Sequence, residues 1–286
     1  MSKLILGIDA GNHSAKTVGE FGSDIFKTNI CDWFDRKVEE TFGQDDMEFE
    51  IGERKGFAGT IAEFEDEFGT SSMYGNSKAH EDTKIRVLLA IYRYMKKNYL
   101  SSKNIAIVVG QPITMHNQSE KDKIVELLRG KHEFIVNGEK QSFTITDVGV
   151  APEGSSAFWV FDKMGKWRII DIGSGTVNAS TINDKHHVNN ASDTLNFGVE
   201  TVNDEEDYKR IARGIIRNTT SLKWLQDDNV LVCGGIAEGI LPLITEHYTK
   251  AIVLKPTLNI GGSVVQLHPV YANSVGYFEL AKGAFK

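Results

Sequence analysis

Cysteine is nearly absent from this chain: 286 residues contain two, Cys31 and Cys233, which stand 202 positions apart. That spacing excludes a disulfide framework and a local metal knot, and it fits reduced thiols in a cytosolic protein. An excess of basic charge is also missing. With 32 Lys and Arg against 39 Asp and Glu, the formal net charge is −7, which argues against broad, direct nucleic-acid binding. No apolar run reaches the length of a membrane span, and Leu4–Ile8 is too short for a signal core. What remains is 41% hydrophobic and 25% charged, a soluble globular composition with length for one large or two smaller domains.

What is present is a series of short apolar strands punctuated by glycine. Residues 3–9, 15–21 and 24–31 read as three strands, with 47–51 and 57–62 as two more. The glycine-rich, acidic stretch from about 31 to 76 reads as an insertion packed beside that first sheet, its carboxylates at 44–50 and 63–67 forming a solvated face. Residues 77–99 read as a helix, because Ile85, Leu88, Leu89, Tyr92 and Met95 recur at three- and four-residue steps. A continuous apolar run over 104–110 fits a strand buried on both faces. A helix follows at 118–129, and Asn137-Gly138 joins strands 131–136 and 140–145 as a hairpin. The strand pattern restarts at 166–171, and 177–182 and 186–190 pair over Asn183-Asp184. Helices at 203–217 and 236–248 flank a buried strand at 230–233. Residues 251–254 are the last expected strand, and Pro269 opens a terminal helix.

One device occurs twice. The stretch GIDAGNHSAK, Gly7 to Lys16, is a strand that ends on an aspartate and turns at once on glycine. The stretch IIDIGSGT, Ile169 to Thr176, repeats it with a second glycine, its Asp171 standing 162 positions after Asp9. Small residues there let backbone N–H groups converge on an anion. Gly11 permits close approach, Asn12, His13 and Ser14 supply amides and a hydroxyl, and Lys16 reaches a β- or γ-phosphate. Asp9 and Asp171 suit Mg²⁺ held through water. A plain hairpin accounts for either turn alone, but two in one chain point to a duplicated α/β unit whose halves grip one phosphate group. His13 either fills its turn or lends pH dependence.

Three further stretches carry chemistry. In APEGSSA, Ala151 to Ala157, Pro152 suits a helix start and Glu153 would sit at that helix's N-terminus, where the dipole stabilises a carboxylate. Capping accounts for Glu153, and so does a role in holding and deprotonating a water that attacks a γ-phosphate. In VLVCGGIAE, Val230 to Glu238, a strand meets a helix at Gly234, Gly235 and Ile236, so that backbone can lie against an adenine or ribose; a tight turn explains it as well. In HPVYANSVGY, His268 to Tyr277, Ala272 and Gly276 stand four apart and permit close helix contact, a second crossing between domains.

In this order the five stretches resemble the phosphate-1, connect-1, phosphate-2, adenosine and connect-2 motifs of the actin-like ATPases, a superfamily that includes sugar kinases and Hsp70 chaperones. The Ala-Asn-x-x-Gly of the last stretch looks most like the ParM group of bacterial plasmid-partitioning actins. Only 63 positions separate Asp171 from Gly234, too few for subdomain IIB, and here the chain resembles the short AlfA type. The resemblance implies an α/β, actin-like (duplicated ribonuclease H-like) fold with two lobes around a nucleotide cleft. Domain I would take 1–158 plus 268–286, with subdomain IB inserted at about 32–76; domain II would take 159–267 as IIA alone. It implies ATP or ADP, with GTP also admitted because the missing subdomain helps clamp the base, and Mg²⁺ on Asp9 and Asp171. Nucleotide contacts would come from Gly11, Asn12, His13, Ser14, Lys16, Gly173, Ser174, Gly175, Thr176, Gly198, Gly234, Gly235 and Ile236, with residues 195–200 approaching from the IIB side. Glu153, Asp9 and Asp171 would be catalytic. The function implied is a head-to-tail filament in the bacterial cytoplasm that separates low-copy plasmids and hydrolyses ATP after assembly. It would meet DNA only through a DNA-binding adaptor on a centromere-like site, and no membrane. The alternative is a small-molecule kinase of the same superfamily, which needs a mid-chain general base; no residue stands out for it, since Asp147 lies near the right region but Thr146-Asp147 reads as a simple turn.

Overall fold

The computed structural model describes residues 3–38, 43–65, 77–161, 163–201 and 205–286. The first half contains β1 (Leu4–Ala10), β2 (Ser14–Gly19), β3 (Gly22–Lys27), β4 (Ile30–Asp32), β5 (Met47–Ile51), β6 (Arg54–Ala58), α1 (Thr60–Glu65), α2 (Glu81–Lys97), β7 (Asn104–Gln111), α3 (Gln118–Leu128), β8 (Gly130–Val136) and β9 (Glu139–Pro152). The second half contains β10 (Lys166–Ile172), β11 (Val177–Asn183), β12 (His186–His187), β13 (Asp193–Leu195), α4 (Glu205–Ser221), β14 (Asn229–Gly234), α5 (Ala237–Thr245), β15 (Lys250–Val253), β16 (Thr257–Ile260), β17 (Ser263–Gln266) and α6 (Ala272–Phe285).

The apolar strands form the centres of two mixed sheets. In the first, of order β3-β2-β1-β7-β9-β8-β5-β6-β4, β1 hairpins with β2 and runs parallel to β7. In the second, of order β12-β11-β10-β14-β15, β10 hairpins with β11 and runs parallel to β14. The two halves therefore repeat one plan, an antiparallel hairpin whose first strand continues into a parallel sheet. Helix α2 lays Ile85, Leu88, Leu89, Tyr92 and Met95 on the first sheet's core, as its apolar stripe requires. Ile211 and Ile215 of α4 and Ile240 and Ile244 of α5 pack in the second core with Val230 and Val232. Each sheet thus buries its own apolar face.

Several elements differ from the sequence reading, each for a local reason. The expected strand 24–31 divides, since the backbone turns at Thr28, whose N–H donates to His13 O at 3.1 Å, and β4 leaves to pair with β6. The expected strand 57–62 stops at Ala58. Gly59 takes a left-handed φ of 107°, and α1 follows, with Asp46 Oδ1 accepting the Ile61 N–H at 2.9 Å. The insertion's strands join the first sheet through β5 and β8 instead of packing beside it; residues 39–42 and 66–76 lie outside the description. Its acidic face is partly structural, because Asp45 also pairs with Arg93 at 3.2 Å. Strand β9 extends to Pro152, which pairs with Gln111, so no helix begins at Pro152; a 3-10 turn covers Ser155–Val160. Asp184 and Lys185 hold positive φ, placing that turn one residue later than expected, and only His186 and His187 follow as strand. The expected start of α4 at Asn203 falls outside the description. Beyond β15, the hairpin β16–β17 closes over Gly261-Gly262, an alternating pattern that the sequence reading passed over. Its Leu258 is buried against Val18, Val275 and Phe278, toward the first sheet.

Helix α6 runs between the two halves through contacts that leave no room for side chains. A Cβ on Gly276 would lie 1.9 Å from the Ser156 carbonyl oxygen, and one on Gly7 would lie 2.2 Å from that of Ser274. Both obstacles are backbone, so neither can step aside. Gly276→Ala should therefore cost roughly 2 kcal/mol or more of folding stability, read as a lower urea midpoint against the parent chain. An unchanged midpoint would show that the crossing is looser than drawn.

Candidate functional site

Between the two hairpins lies a pocket of about 420 Å³, a size suited to a nucleotide-sized ligand. Both strand-terminal aspartates, Asp9 and Asp171, line it, with Glu153. So do Gly11, Asn12, His13, Ser14 and Lys16 from the first turn, and Gly173, Ser174, Gly175 and Thr176 from the second. The strand–helix corner adds Gly234, Gly235 and Ile236. Gly198 does not line it. A Cβ there would sit 2.3 Å from Ser174 O, so this glycine lets its loop lie under the second turn. The next two residues reach the pocket, with Val199 N–H on Gly173 O at 3.1 Å and Glu200 N–H on Ser174 O at 2.9 Å. Asp147 is not among the lining residues; it pairs with Lys3 at 2.9 Å on β9.

The hairpin register explains the local chemistry. Asp9 is the cross-strand partner of Lys16, and Asp171 is that of Asn178. The first turn therefore carries an ion pair, Lys16 Nζ to Asp9 Oδ2 at 3.3 Å. The second carries a neutral amide, whose Nδ2 donates to Glu153 Oε2 at 3.2 Å and lies 3.5 Å from Asp171 Oδ2. Asn178 was not picked out from the sequence, yet a signal existed: it follows Asp171 by the same seven positions that separate Lys16 from Asp9. Asn273, within the last of the five stretches, donates from Nδ2 to Asp171 Oδ2 at 2.9 Å.

Beneath the first turn, Thr28 Oγ1 lies 2.7 Å from Gly11 O and 2.8 Å from Asn12 O. Buried Arg86 donates to Asn12 Oδ1 at 2.7 Å and to Thr28 O at 3.2 Å. Thr28 thus satisfies two of the turn's carbonyls, and Arg86 braces both Asn12 and Thr28. Lys78, just before α2, adds a second lysine to the lining, with Nζ 3.4 Å from Ala10 O and 3.9 Å from Glu153 Oε1. No sequence pattern singled it out.

Glu153 does not enjoy a helix dipole. It sits in the bend between β9 and the 3-10 turn, and burial pushes its carboxyl up to about 7, with Lys78 pulling down and Asp9 and Asp171 pushing up. Burial likewise raises the Asp171 carboxyl, against the pull of the Asn273 amide. Cys233 Sγ lies 3.7 Å from Asp171 Oδ1, and burial beside that carboxylate pushes its thiol well up. A base near neutrality, two lysines and two acidic turns form a site that can bind a polyanion and activate a water. Asp9 and Asp171 offer hard oxygen donors, and among the described residues no cluster of three or more acidic, His or Cys side chains could hold a metal by itself. That sparse set fits Mg²⁺, which keeps waters and takes further oxygens from phosphate.

The raised Glu153 value has a stability consequence. Between about pH 4.5 and 7 the folded protein retains a proton that the unfolded chain has released, so this group costs stability as pH rises through that window. Glu153→Gln cannot ionise. Relative to the parent, the nucleotide-free variant should gain roughly 3 kcal/mol between pH 4 and pH 8 by urea denaturation. A pH-independent difference would show that Glu153 is better solvated than its surroundings indicate.

Comparison with known proteins agrees with this architecture. The family described as actin-like proteins, N-terminal domain, matches residues 7–155, just over half of the chain. No curated protein sequence matches it. An AlfA filament bound to AMPPNP has the same fold, with a TM-score of 0.79 at 21% identity, covering 100% of both chains. The filament structure of AlfA from the B. subtilis plasmid pLS32 gives 0.77 at 22%, covering 96% of this chain and 97% of that one. The archaeal actin homologue Ta0583 in complex with ADP gives 0.73 at 18%, covering 98% and 100%. With two mixed sheets on one plan, a pocket between their hairpins and a family match across the first half, this chain belongs to the actin-like proteins.

Proposed function

We propose that this chain binds ATP as its magnesium complex between the two lobes and assembles head-to-tail into filaments that move copies of a low-copy plasmid apart, hydrolysing the nucleotide after assembly. One observation carries the reading: two matching aspartate–glycine turns, from opposite ends of a duplicated plan, face a single pocket that also holds a buried glutamate. Solved filaments of the same fold, one of them bound to AMPPNP, support it. The proposed lobes are 1–158 plus 268–286, with IB at about 32–76, and 159–267 without a IIB subdomain. Between Ile172 and Asn229 the described residues hold only three strands, 3-10 turns and α4.

In this reading the turn amides and Lys16 grip the phosphates, and Lys78, beside the first turn, adds a second positive charge. Asp9 and Asp171 would hold, through water, a magnesium ion that when bound would shield charge on the phosphate oxygens. Glu153 orients the attacking water and takes its proton, for which a value near neutrality suits it. Gly234, Gly235 and Ile236 lie along the nucleoside, and GTP is accepted besides ATP. Because both lobes touch the phosphates, their angle depends on the nucleotide state, and subunits joined through both lobes form an open helical polymer. An acidic chain meets DNA through a basic adaptor bound at a centromere-like site. No helix among the described residues is long and apolar enough to cross a membrane, and the proposed setting is the bacterial cytoplasm.

Light scattering should rise when Mg-ATP is added to the purified protein, with filaments in electron micrographs. A flat trace without filaments, together with ATP consumption only when a small acceptor is supplied, would favour the kinase instead. Glu153→Ala should still scatter on ATP addition yet release phosphate about a hundredfold more slowly; parental release would remove Glu153 from the chemistry.

A further inference from the structure

Asn273, the second residue of α6, is buried and makes two bonds at once. Its Oδ1 accepts the N–H of Gly154 at 3.0 Å, and its Nδ2 donates to Asp171 Oδ2 at 2.9 Å. The amide cannot be turned over. A backbone N–H is only a donor, so the oxygen must face Gly154, and the NH₂ group is left facing the carboxylate. Gly154 directly follows Glu153 and holds a left-handed φ of 71°, with no space for a Cβ beside Asn178 and Ser180. The bend that carries Glu153 therefore depends on a glycine that Asn273 also holds. Helix α6 cannot drift, because Gly276 and Ser274 fix it against Ser156 and Gly7. The other neutral donor near Asp171 Oδ2, Asn178 Nδ2, stands at 3.5 Å and is shared with Glu153.

We infer that Asn273 is a positioning residue: it orients Asp171 toward the magnesium-nucleotide and joins that carboxylate to the Glu153 bend through the helix that crosses between the lobes. The inference rests on the nucleotide reading above. Its chemistry is specific. Donation from Nδ2 occupies one lone pair of Oδ2; with Asn178 Nδ2 near the other and Cys233 Sγ near Oδ1, Asp171 still keeps an acceptor position on Oδ1 for metal-bound water. Because the same side chain grips the Glu153 bend, the positions of both carboxylates are tied to this fixed helix.

A near-isosteric change separates this role from packing. In Asn273→Asp the side chain still accepts from Gly154 but turns an acceptor toward Asp171. The measurement is the affinity for a fluorescent ATP analogue in magnesium and in EDTA, with thermal unfolding as a check on folding. Loss of a charge-assisted hydrogen bond should shrink the magnesium-dependent gain in affinity by about tenfold or more, while binding in EDTA stays at the parental level. Asn273→Ser, too short to reach Asp171, should shrink it likewise and serves if the first variant does not fold. A purely structural asparagine would lower the unfolding midpoint and leave that gain at its parental value, which would overturn the inference while the parent continued to bind nucleotide. Failure of the parent itself to bind the analogue with magnesium would instead defeat the nucleotide reading, and this inference with it.

Discussion

Three carboxylates in one pocket are the constraint around which this molecule is organised. Asp9, Glu153 and Asp171 converge where water is scarce, and burial there disfavours the charged forms of Glu153 and Asp171. The fold offsets that cost with a distinct partner for each. Lys16 pairs with Asp9, Lys78 stands near Glu153, and two asparagine amides meet Asp171. Amides relieve a buried carboxylate without neutralising it, so negative charge is retained for a cation.

Duplication supplies the geometry, and divergence supplies the chemistry. The two hairpins place an aspartate and a residue seven positions later directly opposite one another. In the first half that residue is a lysine, and in the second an asparagine. One turn therefore presents positive charge to an anion, while the other supports a carboxylate. Two copies of one backbone device become the unlike walls of a single cleft.

Packing and chemistry share the same few contacts. The crossing of α6 over the 3-10 turn is made by backbone against backbone, at Gly276 and Ser156. Three residues before Gly276 stands Asn273, bonded to both Gly154 and Asp171. The helix that makes this crossing thus also holds the bend carrying Glu153 and the Asp171 carboxylate.

The sequence by itself determined the duplicated turns, the five ordered stretches and the brevity of the interval before Gly234. These are local patterns, set by periodicity, turn chemistry and spacing along the chain. It did not disclose Lys78, whose relation to Glu153 spans distant segments, nor that the insertion's strands extend the first sheet through β8, because strand partners are chosen by packing. It misjudged Glu153 for the same reason: a helix start was read from Pro152, whereas pairing with Gln111 keeps Pro152 in β9 and places the glutamate in a buried bend. Only the tertiary structure decided which donors meet each carboxylate, since solvent exclusion and long-range contact arise when the halves come together and leave no mark on any short stretch of sequence.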